Sequence, residues 1–287
     1  MRIKLKRIVV IAILFLPVTV SAQTSVEEQL RQKYAGSERM LRHFYAADAL
    51  KFDESGSPLN TERMGSWTLF GAVVIDKLTL SSKKLELQGH RAIVTIDDST
   101  RTMKRLNWKE KVWIQIPVAS QADASGSQLQ SALDKVFVTP GEEMVRALPD
   151  YWQGYMARFY DKQLQDPPCQ DSNPRGSQGD SVSNIPNASE GPSPKSSVGI
   201  AEGHLIHRVE PYYSRVAKEA GVQGVIGLRA LISKSGDVTQ LCINQAIGGG
   251  MDDEAVNTAR QWKYTPYLLN GQAVEIKTSI SFKFHMN

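Results

Sequence analysis

The sequence predicts an α+β protein of two domains, and three observations carry that prediction. Helix-like spacing opens and closes the first region while short strand-like runs fill its middle. A stretch rich in Pro, Ser and Gly then interrupts the chain. A last region, 200–287, carries its own helix and strand pattern and ends on a strictly alternating strand.

Within the first region, 24–165, Leu30, Tyr34, Leu41 and Phe44 recur at helical spacing. From Trp67 to Val118 the period shortens. The runs at 67–70, 72–75, 78–80, 85–87, 92–96 and 112–116 are strand-like and rich in apolar residues, and Gly, Asp and Ser separate them. Such runs predict an antiparallel meander. Helical character returns at 129–137 and 142–160, where Trp152, Tyr155, Met156 and Phe159 cluster. Trp67, Trp108, Trp113 and Trp152 sit at strand and helix positions, which makes them core residues before pocket residues.

Segment 166–199 holds Pro167, Pro168, Pro174, Pro186, Pro192 and Pro194 and lacks a large apolar cluster. A segment of that composition buries too little to offset its ordering entropy, so it reads as a tether. Its mean span as a flexible coil is on the order of 30 Å.

In the last region, 212–220 reads as a short helix stopped by Gly221. The runs 224–232 and 238–246 flank Ser233-Lys234-Ser235-Gly236-Asp237, a hairpin connection. Asp252 reads as the N-cap of a second helix, with Asp253 and Glu254 in its first turn. In the closing strand Val274, Ile276, Thr278, Ile280, Phe282 and Phe284 point one way. Glu275, Lys277, Ser279, Ser281 and Lys283 point the other. Two helices on a three-stranded antiparallel sheet make a small sandwich, and so small a sheet has edges.

The first residues carry a separate signal. Arg2, Lys4, Lys6 and Arg7 precede an apolar run, and Val20-Ser21-Ala22 places small residues before Gln23. This is the pattern of a signal peptide, 1–22, cut after Ala22, with a periplasmic mature chain. The alternative is a retained inner-membrane anchor facing the periplasm. The leader holds four of the 34 basic residues and none of the 30 acidic ones, so the remainder is balanced at 30 against 30. A near-neutral chain gives no support to nucleic-acid binding. Export also bears on Cys169 and Cys242, which either join in one disulfide or stay apart, Cys242 then serving as a small buried residue in a strand.

No nucleophile elbow, phosphate loop or paired catalytic acids occur, and the five histidines form no ligand set with Cys or carboxylates. No enzyme activity, metal or cofactor is therefore expected.

The wording of the last region goes further than its pattern. Pro211-Tyr212-Tyr213, Gly221-Val222-Gln223-Gly224-Val225, Lys234-Ser235-Gly236-Asp237-Val238 and Ile247-Gly248-Gly249-Gly250 come in order. They are followed by Asp252 to Ala255, Trp262-Lys263-Tyr264-Thr265-Pro266, Asn270-Gly271-Gln272-Ala273-Val274 and Ser281-Phe282-Lys283-Phe284. Over 202–287 this resembles the TonB carboxy-terminal domain family. The resemblance implies a module that captures a short segment of an outer-membrane TonB-dependent receptor by strand addition, in support of transport. It makes Tyr212, Tyr213, Lys277, Ser279, Ser281 and Lys283 the candidate contact residues, with a homodimer through the sheet edge as the rival use of that edge. Two departures stand out: Tyr213-Ser214 where the family has Tyr-Pro, and a folded region of its own before the spacer. Alternative readings are a membrane-anchored energy transducer, or a ligand-binding or enzymatic first domain with the last region as a docking tag.

Overall fold

A computed structural model describes residues 25–118, 126–161, 200–201 (backbone alone) and 204–286. The first region opens with helix α1 (Val26–Tyr34), capped by Ser25, whose hydroxyl accepts from Glu28 N. The helix stops there because the chain turns at Gly36 with φ of 72°. Leu41 is therefore not on a helix with Leu30 but on strand β1 (Glu38–Leu41), and Phe44 follows in a loop. Both are buried all the same. Spacing alone could not separate a helix from a helix–turn–strand that buries the same four side chains.

Strand β2 (Ala49–Lys51) follows, then helix α2 (Trp67–Phe70), one turn starting after Ser66 where a strand was expected. The expected meander is present as β3 (Ala72–Leu80), β4 (Lys84–Asp97) and β5 (Thr102–Pro117), paired antiparallel in sequence. Helix α3 (Gly126–Val136), strand β6 (Phe137–Val138) and helices α4 (Glu142–Ala147) and α5 (Asp150–Tyr160) complete the region. The sheet runs β2-β5-β4-β3-β1-β6, with β2 parallel to β5.

One face of that sheet is closed by α1 and α3, through Leu30, Tyr34, Leu129 and Leu133 against Val73, Ile75, Leu87 and Ile114. Burial along β4 alternates as far as His90 and then becomes continuous from Arg91 to Val94. A strand buried on both sides has a second layer on it. That layer contains α5 and part of the last region.

Arg91 is itself fully buried. Its guanidinium donates to the carbonyls of Phe70, Tyr45 and Ala47 at 2.6, 2.9 and 2.8 Å, and burial pushes its pKa down to about 10. Three carbonyls on one fork fix the end of α2 against the sheet.

The last region begins with β7 (Ile200–Ala201), β8 (Leu205–His207) and α6 (Arg215–Glu219). It continues with β9 (Gly224–Ile232), β10 (Val238–Gln245), α7 (Met251–Ala259), β11 (Lys263–Tyr264), β12 (Tyr267–Leu269), β13 (Gln272–Val274) and β14 (Ile276–Phe284). The three-stranded antiparallel sheet is β10-β9-β14. Its inner face buries Ile226, Leu228, Ile232, Ile280 and Phe282 against α6 and α7. Trp262 rests on Phe282, ring centroids 5.2 Å apart, and donates to Val209 O at 2.8 Å. Two features depart from the expected sandwich. Helix α6 is shorter than 212–220, because Ser214 caps it by accepting from Ala217 N at 3.1 Å. Small sheets β11-β8 and β13-β12-β7 also flank the main one. The turn at Asn270-Gly271, both at positive φ, makes β12 and β13 a hairpin.

The two regions share one buried cluster. Trp67, Val94, Ile96, Trp152 and Tyr155 from the first pack with Ile243, Ile247, Met251 and Val256 from the last. Main chain joins them too. Past Ala92 strand β4 outruns β3, and Gly248 pairs with Thr95 on the edge so exposed. Ile96 N donates to Ile247 O and Gly249 N to Val94 O, each at 2.9 Å. Gly248 has φ of 81°, and a Cβ there would lie 2.2 Å from Val94 O. The Gly-rich wording of this loop thus has an immediate steric reason. The expected linker, 166–199, lies outside the described residues.

Gly248→Ala is expected to lower stability by about 3 kcal/mol or more, since it combines a left-handed backbone with a main-chain clash. Gly271→Ala, whose Cβ meets nothing within 4 Å, is expected to cost about 1–2 kcal/mol. Urea denaturation midpoints of the two variants check this ranking.

Candidate functional site

Strand β14 is one edge of the three-stranded sheet and pairs with β9 over nine residues, Ile276 opposite Ile232 through Phe284 opposite Gly224, without a register shift. Its alternation is as expected: Ile280, Phe282 and Phe284 are buried, while Lys277, Ser279, Ser281 and Lys283 are exposed. At roughly 3.4 Å per residue the two lysines stand about 20 Å apart along the strand, with the two serines between them. Among the described residues β14 has no strand partner on its outer side. The opposite edge strand, β10, has α5 lying against it.

The tyrosines divide. Tyr213 is half-buried at the Phe284 end of β14, its ring edge-on to Phe284 at 5.3 Å and its hydroxyl donating to Val222 O. Tyr212 is 69% exposed, and its backbone N–H donates to Glu254 at 2.9 Å. The structure thus places Tyr213 at the Lys283 end of the strand, leaves Lys277 at the other end, and ties Tyr212 by its backbone to α7. Cys242 is buried in β10, and Cys169 lies outside the described residues.

Sequence reasoning missed the junction between the regions, which is built on two adjacent aspartates. The N-cap of α7 is Gly250, not Asp252. Asp252 lies inside the first turn and reaches back, its two oxygens accepting from Ile247 N at 2.9 Å and Gly248 N at 2.7 Å. It thereby holds the very loop that pairs with β4. Asp253 turns the other way, into the first region. Its Oδ1 accepts from the Tyr151 hydroxyl at 2.6 Å and Trp152 Nε1 at 3.1 Å, and its Oδ2 from the Ser66 hydroxyl. Beside it Gly250 N donates to Thr68 Oγ1 at 2.8 Å, and Ser66 and Thr68 share a hydrogen bond of 2.9 Å.

Burial raises the pKa of both carboxyls above the ordinary aspartate range. Desolvation is the largest cause in each, and the donors oppose it. Asp252, which also feels the neighbouring Asp253, is pushed up to about 8. Tyr151 is raised as well, by its own burial and then by Asp253. Paired acids in the first turn of a helix are explained well enough by the helix dipole, and that sufficiency hid their second use. The available signal was the full set Ile247-Gly248-Gly249-Gly250-Met251-Asp252-Asp253, in which three glycines bring the backbone close to something.

A cleft of about 390 Å³ lies at the same junction, lined by Thr95, Asp98, Lys104, Gln223, Gln245 and Ile247 among others. Its acids have structural tasks. Asp98 accepts from the Tyr155 hydroxyl at 2.8 Å, and Asp97 accepts from Ser99 and Thr100 in the turn between β4 and β5.

Comparison with known proteins places the last region. Residues 209–286 match the family model described as the Gram-negative bacterial TonB protein C-terminal. Protein TonB of Vibrio cholerae serotype O1 is 25% identical over 80 residues, which are 28% of this chain and 33% of that protein. This chain therefore spans about a third of the length of the curated relative it matches. The solution structure of the Pseudomonas aeruginosa TonB CTD is 18% identical, with a TM-score of 0.27, covering 32% of this chain and 91% of that one. Among the described residues no helix is long and apolar enough to cross a membrane.

Tyr151→Phe removes a donor from the buried Asp253 and is expected to destabilise the protein by about 1–3 kcal/mol. Tyr155→Phe is expected to cost about 1 kcal/mol or less, because Asp98 sits beside an open cleft where water replaces the hydroxyl. Denaturant titration of both variants tests the difference.

Proposed function

Because residues 209–286 are a TonB carboxy-terminal domain, we propose that this protein works in the bacterial cell envelope as a non-enzymatic binding module. It captures an extended segment of an outer-membrane TonB-dependent transporter on the open edge of β14 and so supports transport. The observation that carries this reading is the edge itself: nine regularly paired residues with, among the described residues, no strand outside them. An added strand gains main-chain hydrogen bonds along that length, and alternate side chains set the choice of partner.

The other long edge suits this use less well. Outside β5 the short β2 pairs at Trp113–Gln115 alone, and the remainder of that edge carries Lys104, Lys109 and Lys111. Its ladder with β4 is also broken opposite Arg91, between the His90–Lys111 and Ala92–Asn107 pairs. Lysines and bulges are the usual guards against strand addition. Strand β14 keeps its lysines apart, with Ser279 and Ser281 between them. Tyr212, exposed and next in the chain to Tyr213, offers an aromatic surface as well.

The test is capture from solubilised outer membranes by the immobilised full chain, with retained proteins identified by mass spectrometry. Recovery of outer-membrane transporters is expected. The paired reversal Lys277→Glu and Lys283→Glu is expected to weaken it about three- to tenfold, as two exposed charges contribute roughly 1 kcal/mol together. Retention of this chain alone, or capture unaffected by the reversal, overturns the assignment to β14.

A further inference from the structure

The junction between the two regions buries two neighbouring carboxyls, and every hydrogen-bond partner described for them is neutral. The charged and titratable groups around them come from four elements. From α5 come Tyr151, Tyr155 and Arg158, and from the segment before α2 comes Arg63. The end of β4 supplies Asp98, and α7 with its C-cap supplies Asp252, Asp253 and Arg260. The arginines are engaged with the tyrosines. Arg260 lies over the Tyr151 ring at 5.2 Å, Arg63 also acts on Tyr151, and Arg158 acts on Tyr155.

Two anions side by side in a dry interface, with no cation among the described residues paired to either, are costly, and one proton relieves most of the cost. The hydrogen bonds say where it goes. Both oxygens of Asp252 face backbone N–H groups that have nowhere else to donate, so a proton on either would meet another donor. On Asp253, Oδ2 meets the Ser66 hydroxyl, which can turn to accept and give its own proton to Thr68 Oγ1.

We propose that docking of the TonB-like domain onto the first region is proton-linked: the docked state holds one proton on the Asp252–Asp253 pair, at Asp253, and the undocked state does not. A group that binds protons more tightly when docked stabilises docking at low pH. Docking therefore weakens as pH rises from the ordinary aspartate range, about 4, and levels off above the raised value. For one proton the docking equilibrium changes by up to about tenfold per pH unit within that window. The linkage is independent of what β14 captures.

Amide hydrogen exchange on the full chain tests it. The amides of Ile96 and Gly249 bond across the junction, and their protection reports docking. Protection at both, corrected for intrinsic exchange rate, is expected to fall about tenfold or more between pH 6 and 8. Leu87, inside the first sheet, should stay level. In Asp253→Asn the carboxamide mimics the protonated acid, and protection should lose most of its dependence on pH, leaving only what the buried Asp252 contributes. An infrared band of a buried protonated carboxyl is expected in the unaltered protein at pH 6. Constant protection in the unaltered protein, an unchanged slope in Asp253→Asn, or absence of that band overturns the proposal.

Discussion

The architecture depends on one carboxyl. Asp253 leaves helix α7 of the last region and is hydrogen-bonded to three groups of the first: the Ser66 hydroxyl at the start of α2, and the Tyr151 hydroxyl and Trp152 Nε1 on α5. Each partner is held in turn. The Trp152 ring packs edge-on against Trp67 at 5.2 Å, and Arg91 fixes the end of α2 to the sheet. A buried carboxyl with three hydrogen-bond partners from two elements fixes orientation as well as distance, which an apolar contact does not. The shared apolar cluster supplies most of the attraction, and Asp253 sets the register in which the surfaces meet.

That register explains why Asp252 and Gly248 have the neighbours they have. With α7 placed by Asp253, the preceding loop arrives at β4 where β3 no longer covers it, and the loop continues the sheet for one bridge. Asp252 holds the loop from behind through the N–H groups of Ile247 and Gly248. Side chains thus aim a backbone segment that cannot aim itself, since its three glycines contribute no packing of their own.

Much of this was legible in the sequence, and the failures have physical reasons. The alternation marked β14 from Ile276 to Phe284 because a half-buried strand has a period of two, but Val274, expected on the same strand, ends β13 and pairs with Tyr267 instead. The meander from Ala72 to Pro117 was readable for the same reason. Trp67–Phe70 was misread as a strand because a run of four with three apolar residues is too short to show a period, and the Ser66 start signal was the one clue to a turn of helix. Leu41 and Phe44 fitted a helical face by spacing, yet Gly36 ended the helix before them. The junction was the least legible part. It joins residues some hundred to nearly two hundred positions apart, such as Tyr151, Ser66 and Asp253, and each has a sufficient local explanation as a helix residue or cap.

Docking and the proposed capture use different sides of one small sheet, and this separation follows from the burial. The sheet has two edges and one helix-covered face. The first region takes the β10 side, through α5, and the loop that follows β10. Among the described residues the edge left uncovered is β14, whose exposed residues take no part in the shared cluster. A strand added there meets Lys277, Ser279, Ser281 and Lys283 on one face and continues the Ile280 and Phe282 row on the other. It displaces none of the contacts of Asp253. The protein can therefore hold its own two regions together while an edge stays open, a combination that a free three-stranded sheet, with both edges exposed to like copies, does not secure.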